Sequence, residues 1–516
     1  MARIIQTADL TPDSPLTQNE NDWIYNGLDT MVTLEVLNKI TPYLDNMTGG
    51  TYQFSRDLQG PILDMTMRGM LVDQVRRQEV LALYKSQMKE VEAQLMILLK
   101  DGLGLSGDFN WRSPAQLKTL FYGVLDLRPI RKRNANGDYV PTTDREALEK
   151  LSSNFFAEPI CIRLLFLRDL EKKRQFLETE VDTDGRIRTN FNIAGTNTGR
   201  LASAMSDFGT GGNLQNVDRE LRSVFIADPG MKFCNVDLEQ ADARNYGAIC
   251  WNNFVESHGE EFAGAYLDAC ESGDLHTLVC RSAWTGLDWG NDPAGFRAVA
   301  DRIAYRSFSY RDLAKKLGHG TNFYGQPPTM AKHTKVERSL IEDFQRRYFK
   351  SFPCIEERFK YVRNELTENG YLVSLFRRRR GFFGRPWEDS TLREAVAYDP
   401  QSSTADEIDT GLIRLFRAER VQLLVQVHDS ILFQFPEELE AEIVPWAIDL
   451  LKVRIPLLRG REFYVPTEAK TGWNWGDRLE DKKTGKITNP DGLMKWKGGD
   501  TRKRLWRKPS FIDLLG

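Results

Sequence analysis

Residues 1–20 are polar, and the following WIYNGLDTMVTLEVLNKITPYL spaces its apolar residues at helical intervals, so a short tail should lead into a helix. Gly49-Gly50 reads as a boundary, and FSRDLQGPILDMTMRGMLVD as a second helix, a turn at Gly69 and a short strand. From Arg76 to Leu99 the periodicity and the Glu, Lys and Gln content indicate a long helix, part of an extended helical lever. The loop-rich stretch 101–150 holds two helix starts, SPAQLKTLF and DREALEKL, and a further helix covers Pro159 to Glu178. DGRIRTNFNI alternates like a strand, and MKFCNVDL is a short apolar run that ends in acid. Helical spacing returns over most of 239–370. Strand-like VSLF then precedes the basic run Arg377 to Arg380, and VQLLVQVHDSILFQF, apolar on both sides of a polar turn, reads as a β-hairpin.

At 516 residues the chain has room for two to four domains of roughly 150 residues each. Hydrophobic residues at 41% and charged residues at 28% exclude wholesale disorder and a fibrous repeat. The 70 Lys and Arg against 73 Asp and Glu leave a net charge of −3, so any site for a polyanion must be local. No apolar stretch approaches the ~18–20 residues that span a bilayer, and MARIIQTADLTPDSPL lacks an apolar signal core, so a cytoplasmic chain without a membrane partner is expected. Six scattered cysteines form no C-x-x-C pair and read as reduced, mostly buried thiols.

Two aspartates stand out because each interrupts an apolar strand: Asp237 after FCNV and Asp429 inside VQVHDSILF. Taken singly, either is more readily a turn or cap carboxylate. At neighbouring strand ends they would form a site for hard divalent cations, with Mg²⁺ preferred where phosphates complete the shell. In YRDLAKKLGHGTNFYG, Arg311 and Lys315 project from one helix face, an arrangement that suits a triphosphate but is otherwise a solvated basic face. The glycines and aromatic residues after it favour the first reading, since they supply rings on which a base stacks.

The order TGRLAS, NLQNV, NVDLEQADAR, DLHT, RDLAKKLGHGTNFYG, YDPQSSTADE and QVHDS resembles the family A DNA polymerases over roughly residues 55–477. The resemblance implies an α+β right-hand fold with an antiparallel-sheet palm, helical fingers and a helical thumb. It places a remnant of a 3′-5′ exonuclease-like domain at 1–50, palm entry and thumb at 51–180, and palm at 181–238 and 385–477. Fingers fall at 239–384, and a basic tail, with Trp496 and Trp506, at 478–516.

Position by position, the resemblance makes Asp237 and Asp429 the catalytic aspartates. They would bind two Mg²⁺ ions, for which Mn²⁺ substitutes, together with the Leu238 carbonyl. Arg311, Lys315 and His276 take the places of groups that hold the nucleotide phosphates, Lys315 also donating a proton to pyrophosphate. Gln240, Asp242, His319 and Phe323 complete the dNTP site. Arg200, Gln215, Arg222, Arg393, Gln401 and His428 match primer-template contacts, with palm packing as the alternative role for each.

Three departures from the family pattern matter. Asp242 stands where the family has glutamate, and Phe323 where it has tyrosine, unless a one-residue slip puts Tyr324 there; both ends of a contact that excludes the 2′-hydroxyl are thereby changed. His319 replaces Phe or Tyr. Ser430 replaces an acidic residue after the second aspartate. At the amino terminus, Tyr25 and Asp29 resemble the last exonuclease motif, but no D-x-E precedes them. The helix is therefore expected to pack on the polymerase core as a remnant, with no proofreading by this chain alone. The missing half belongs either to a separate exonuclease polypeptide or to a longer chain, and a processivity subunit is a second candidate partner. The tail reads either as a solvated extension or as a clamp on DNA or a partner. The reading is a bacteriophage DNA-directed DNA polymerase; its rivals are a single-subunit RNA polymerase and a non-catalytic DNA-binding subunit of the same fold.

Overall fold

The computed structural model of the protein describes residues 11, 14–105, 107–206, 209–481, 484–500 and 502. The chain forms two compact units, passing between them at 59/60, 248/249 and 403/404.

The unit formed by 60–248 and the residues from 404 onward is built on a five-stranded sheet. Its order is Gln422–Val427, Ser430–Pro436, Met231–Leu238, Thr467–Gly472 and Met494–Lys495, all antiparallel. The central strand Met231–Leu238 buries Lys232, Phe233, Cys234, Val236 and Leu238. One face, Lys232, Cys234, Val236 and Leu238, is fully buried, while the other opens from the buried Phe233 to the exposed Asp237. The helix Glu440–Leu450 packs against this strand and its neighbours, burying Ile443, Val444 and Ala447. In the same unit the long helix Gln74–Ile97, capped by Asp73, lies along Glu158–Leu177, burying Val80, Leu81, Tyr84, Met88 and Leu95 at helical spacing.

The other unit is mainly helical. Tyr310–Asn322 packs on Leu275–Ala283 and Arg338–Ser351, and Pro353–Glu368 on Glu260–Glu271. Its core is aromatic with satisfied polar groups: the Asn322 amide donates to the Tyr266 hydroxyl at 2.7 Å and accepts from the Tyr348 hydroxyl at 2.9 Å. The fully buried Arg358 is ion-paired with Asp399.

Several sequence expectations need correction. Gly49-Gly50 is no boundary, because the helix Asn46–Asp57 runs through both glycines. Each costs about 1 kcal/mol in a helix. The capping box of Asp45 and Thr48, the Arg379–Asp45 ion pair at 2.9 Å and Arg378 over the Phe54 ring offset that cost. The expected packing of the amino-terminal helix is not found: Gln18–Ile40 has no buried residue, and Trp23, Tyr25 and Met31 are exposed. DGRIRTNFNI is two strands in different sheets, Arg186–Ile187 with Met70–Val72 and Thr189–Asn192 with Ala202–Met205.

As far as residue 502 the described part of the tail is not a solvated extension. Thr471 pairs with Met494, the backbone N–H of the half-buried Trp496 donates to Ala469 O at 2.9 Å, and Asp500 joins Glu440 on the buried Lys232 ammonium at 2.9 and 2.8 Å. The tail thus folds back because a lysine inside the sheet requires carboxylate partners. Trp506 lies outside the described residues. All six cysteines are buried thiols outside any disulfide. Among the described residues no helix is long and apolar enough to cross a membrane.

Candidate active site

In the sheet unit, antiparallel register sets Asp237 opposite Ser430, and the Leu238 N–H donates to Asp429 O at 3.0 Å. Two residues far apart in sequence thereby meet at adjacent strand ends. The hairpin turn holds His428 at φ 57°, and its carbonyl accepts from the Gln426 amide at 2.5 Å. On the other side of Asp237, register brings Glu468, itself held by Lys495 at 2.7 Å. Burial first, and then the Asp429 charge, push Asp237 up to about 7. Burial likewise raises Asp429.

The donor chemistry fits a hard divalent cation: two carboxylates whose negative charge is disfavoured where they stand. Among the described residues no group of three or more His, Cys, Asp and Glu is assembled, so water and substrate oxygens would complete any shell. The pH dependence follows. With Asp237 pushed up to about 7, above the ordinary carboxyl range, the folded chain binds more protons than the unfolded one between that range and 7, and its stability falls as pH rises. Added Mg²⁺ is expected to raise the melting temperature at pH 8 and to do little at pH 5. Thermal unfolding at both pH values checks this, and an equal shift at both removes Asp237 from the cation site.

Asp242 belongs to a polar chain whose links through Thr404, Asn245 and Glu407 sequence reading missed. Asp242 accepts from Arg200 at 3.0 Å and from the Thr404 hydroxyl at 2.9 Å. The Asn245 amide donates to Thr404 at 3.1 Å and to Glu407 at 3.2 Å, and burial raises Glu407 to about 7. The available signal was the i, i+3 pairing of Asp242 with Asn245 and of Thr404 with Glu407, each pair on one helix face. Gln215 donates to the Gln426 carbonyl and side-chain oxygens at 3.1 and 3.0 Å. Arg222 lies 4.4 Å over the Trp475 ring. Gln240 sits at φ 55° with its buried amide oxygen lacking a hydrogen-bond partner among the described residues.

In the helical unit, Ser309 and Asp312 form a capping box that starts Tyr310–Asn322. Leu313, Ala314 and Leu317 bury one face, while Arg311 is half-buried and Lys315 exposed on the other. Arg311 donates to Asp274 at 3.1 Å, and Asp274 also caps the helix of His276 through the Thr277 N–H at 3.2 Å. Burial, then the charges of Arg311 and Lys315, hold His276 down at about 4, so it is neutral at pH 7. Asp274 was missed by the sequence reading, although its place just before an apolar helical run is an N-cap signal.

His319 is exposed with its ring 4.7 Å from Phe323. Tyr324, at φ 59°, turns onto Phe359 at 5.0 Å, so Phe323 and not Tyr324 lies beside His319. Arg393 is exposed and Gln401 half-buried on Asp389–Ala418. Tyr25 and Asp29 are exposed on Gln18–Ile40, and no metal-ligating cluster forms around them among the described residues.

A central antiparallel sheet with paired aspartates at its strand ends, in a chain whose other unit is helical and bears a cationic helix, defines the polymerase class of architecture. The profile of DNA polymerase family A matches residues 81–283 and 296–477, and the chain belongs to that family. It is 26% identical over 432 residues to DNA polymerase I of Geobacillus stearothermophilus, covering 78% of this chain and 44% of that protein. It is 26% identical over 475 residues to DNA polymerase I of Treponema pallidum, covering 88% and 43%. The chain thus spans less than half the length of these curated relatives. Among solved structures, the polymerase domain of Pol1 from M. smegmatis, in complex with DNA primer-template and dNTP, superposes with a TM-score of 0.64 at 21% identity. That superposition covers 81% of this chain and 69% of the other, a likeness of fold.

Proposed function

We propose that the chain is a template-directed DNA polymerase that adds dNTPs to a primer 3′-hydroxyl and releases pyrophosphate. The observation that carries this is the meeting of Asp237 and Asp429, joined by the Leu238–Asp429 hydrogen bond, in a chain of DNA polymerase family A. Asp237, Asp429 and the Leu238 carbonyl would hold divalent cations, Mg²⁺ with Mn²⁺ able to substitute. When bound, such ions activate the primer hydroxyl and neutralise charge on the leaving pyrophosphate. Arg311 and Lys315 would bind the β- and γ-phosphates, and Lys315 would give its proton to the leaving pyrophosphate as the new phosphodiester forms. Neutral His276 accepts or donates a hydrogen bond at the phosphates without adding charge. Replication of a bacteriophage genome, without proofreading by this chain alone, remains part of the reading.

The test is extension of a 5′-labelled primer on a DNA template with Mg²⁺, comparing dNTPs, rNTPs and no nucleotide, with Asp429→Ala as control. Extension by dNTPs that vanishes in the control is expected, with no shortening when nucleotides are withheld. Extension by rNTPs alone would favour an RNA polymerase, and none at all a DNA-binding subunit.

Asp242 bears on sugar choice. Arg200 and Thr404 hold its carboxylate, which is one methylene shorter than glutamate. Asp242→Glu is expected to change the dNTP to rNTP preference about tenfold, a methylene being worth roughly 1–3 kcal/mol. An unchanged ratio of kcat/KM values removes Asp242 from sugar selection.

A further inference from the structure

The segment 382–388 joins the strand Arg379–Gly381 to the helix Asp389–Ala418. It turns its aromatic residues in two directions. Phe382 faces inward: its N–H donates to Gly370 O at 2.9 Å, its ring meets Tyr398 edge-on at 5.9 Å, and Arg380 lies 4.5 Å over it. Phe383 faces outward and is 103% exposed, and Trp387 is 70% exposed. The backbone that presents them is anchored. A Cβ at Gly384 would collide with the Thr391 side chain, so the loop lies directly on the start of the long helix, and the Glu388 N–H donates to Arg385 O at 3.0 Å.

Two large rings held in water by a fixed backbone forgo burial that the sequence achieves one residue earlier, at Phe382. Their setting indicates what covers them. Between 377 and 394 the chain carries six arginines against three carboxylates, so the surface is basic. Arg380 and Arg379 are engaged with Glu394 and Asp45, whereas Arg385 is 71% exposed and only 3.9 Å from Glu388, and Arg393 is exposed. A local excess of arginine complements a polyanion. Here the rings are separated by Gly384, Arg385 and Pro386, an alternation of ring and cation that matches base and phosphate along a single strand.

We propose that Phe383 and Trp387 form a stacking platform for unpaired bases of single-stranded DNA, with Arg385 and Arg393 receiving the phosphates. This rests on the polymerase reading, in which the strand is template not yet copied. Because the loop is anchored beforehand, binding orders little backbone.

Fluorescence anisotropy of the full chain tests it, using a labelled primer-template either blunt or with a 5′ oligo-dT overhang. The wild-type chain is expected to bind the overhang substrate more tightly. Phe383→Ala with Trp387→Ala should lose that advantage, roughly tenfold for each stacked base, and bind the blunt duplex as before. Phe383→Tyr with Trp387→Phe, which keep the rings, should retain it. Overhang binding unchanged by the alanine pair, an equal loss on both substrates, or loss in the ring-retaining pair overturns the platform. Primer extension run alongside separates the readings: a wild-type chain that extends nothing overturns the proposed function, while extension with unaltered overhang binding overturns the platform alone.

Discussion

Asp429→Asn is expected to slow nucleotide addition by about a thousandfold or more while the protein still folds. The carboxylate stands at the strand end that the Leu238 N–H ties to Asp237, and asparagine keeps its size while removing the charge that would hold a cation. The same substitution relieves repulsion: the Asp429 charge is the second cause, after burial, of the high Asp237 value, so Asp237 should titrate lower in the variant. Cation-free stability at pH 8 should therefore rise as activity is lost, and the stabilisation by Mg²⁺ should shrink. Single-turnover primer extension and thermal unfolding measure the two effects. A loss of less than tenfold, or a fall in cation-free stability, would mean that the pair is a structural turn and not the reacting centre.

Lys315→Ala should lower kcat about a hundredfold or more, because a fixed cation at the leaving group is among the larger contributions to phosphoryl transfer. Lys315 is exposed and forms no ion pair among the described residues, so its removal leaves no buried charge behind. Arg311 is different. It is tied to Asp274, which caps the His276 helix, so Arg311→Ala should raise KM for dNTP and also lower the melting temperature. Steady-state kinetics with thermal unfolding distinguishes the pair: an unchanged kcat in Lys315→Ala would mean that the basic face is merely solvated. Taken together, the two variants separate a cation that acts on the substrate from one that also holds the helix in place.

Much of the local structure was legible in the sequence. The strand Met231–Leu238, the hairpin across His428 and Asp429, and the helix of Arg311 and Lys315 follow from apolar spacing and a polar turn, since each is set by neighbours within a few residues. Other local rules were overridden. Gly49-Gly50 lies within a helix because Arg379 and Arg378, distant in sequence, hold its start and its middle. Pro400 lies inside the helix Asp389–Ala418, where proline ordinarily breaks one. There the Ser403 hydroxyl binds the Asp399 carbonyl at 2.7 Å, and Arg358 pairs with the Asp399 side chain.

The sequence by itself determined which residues are candidates for chemistry, because a carboxylate at the end of an apolar strand and two cations one helical turn apart are local patterns. Only the tertiary structure decided what those groups face. Strand register set Asp237 beside Asp429 and Glu468, the buried chain through Thr404, Asn245 and Glu407 fixed Asp242, and Lys232 drew the tail back through Asp500. Each of these joins residues far apart in the chain, and the energy of such a contact depends on burial and register, which only the folded chain defines.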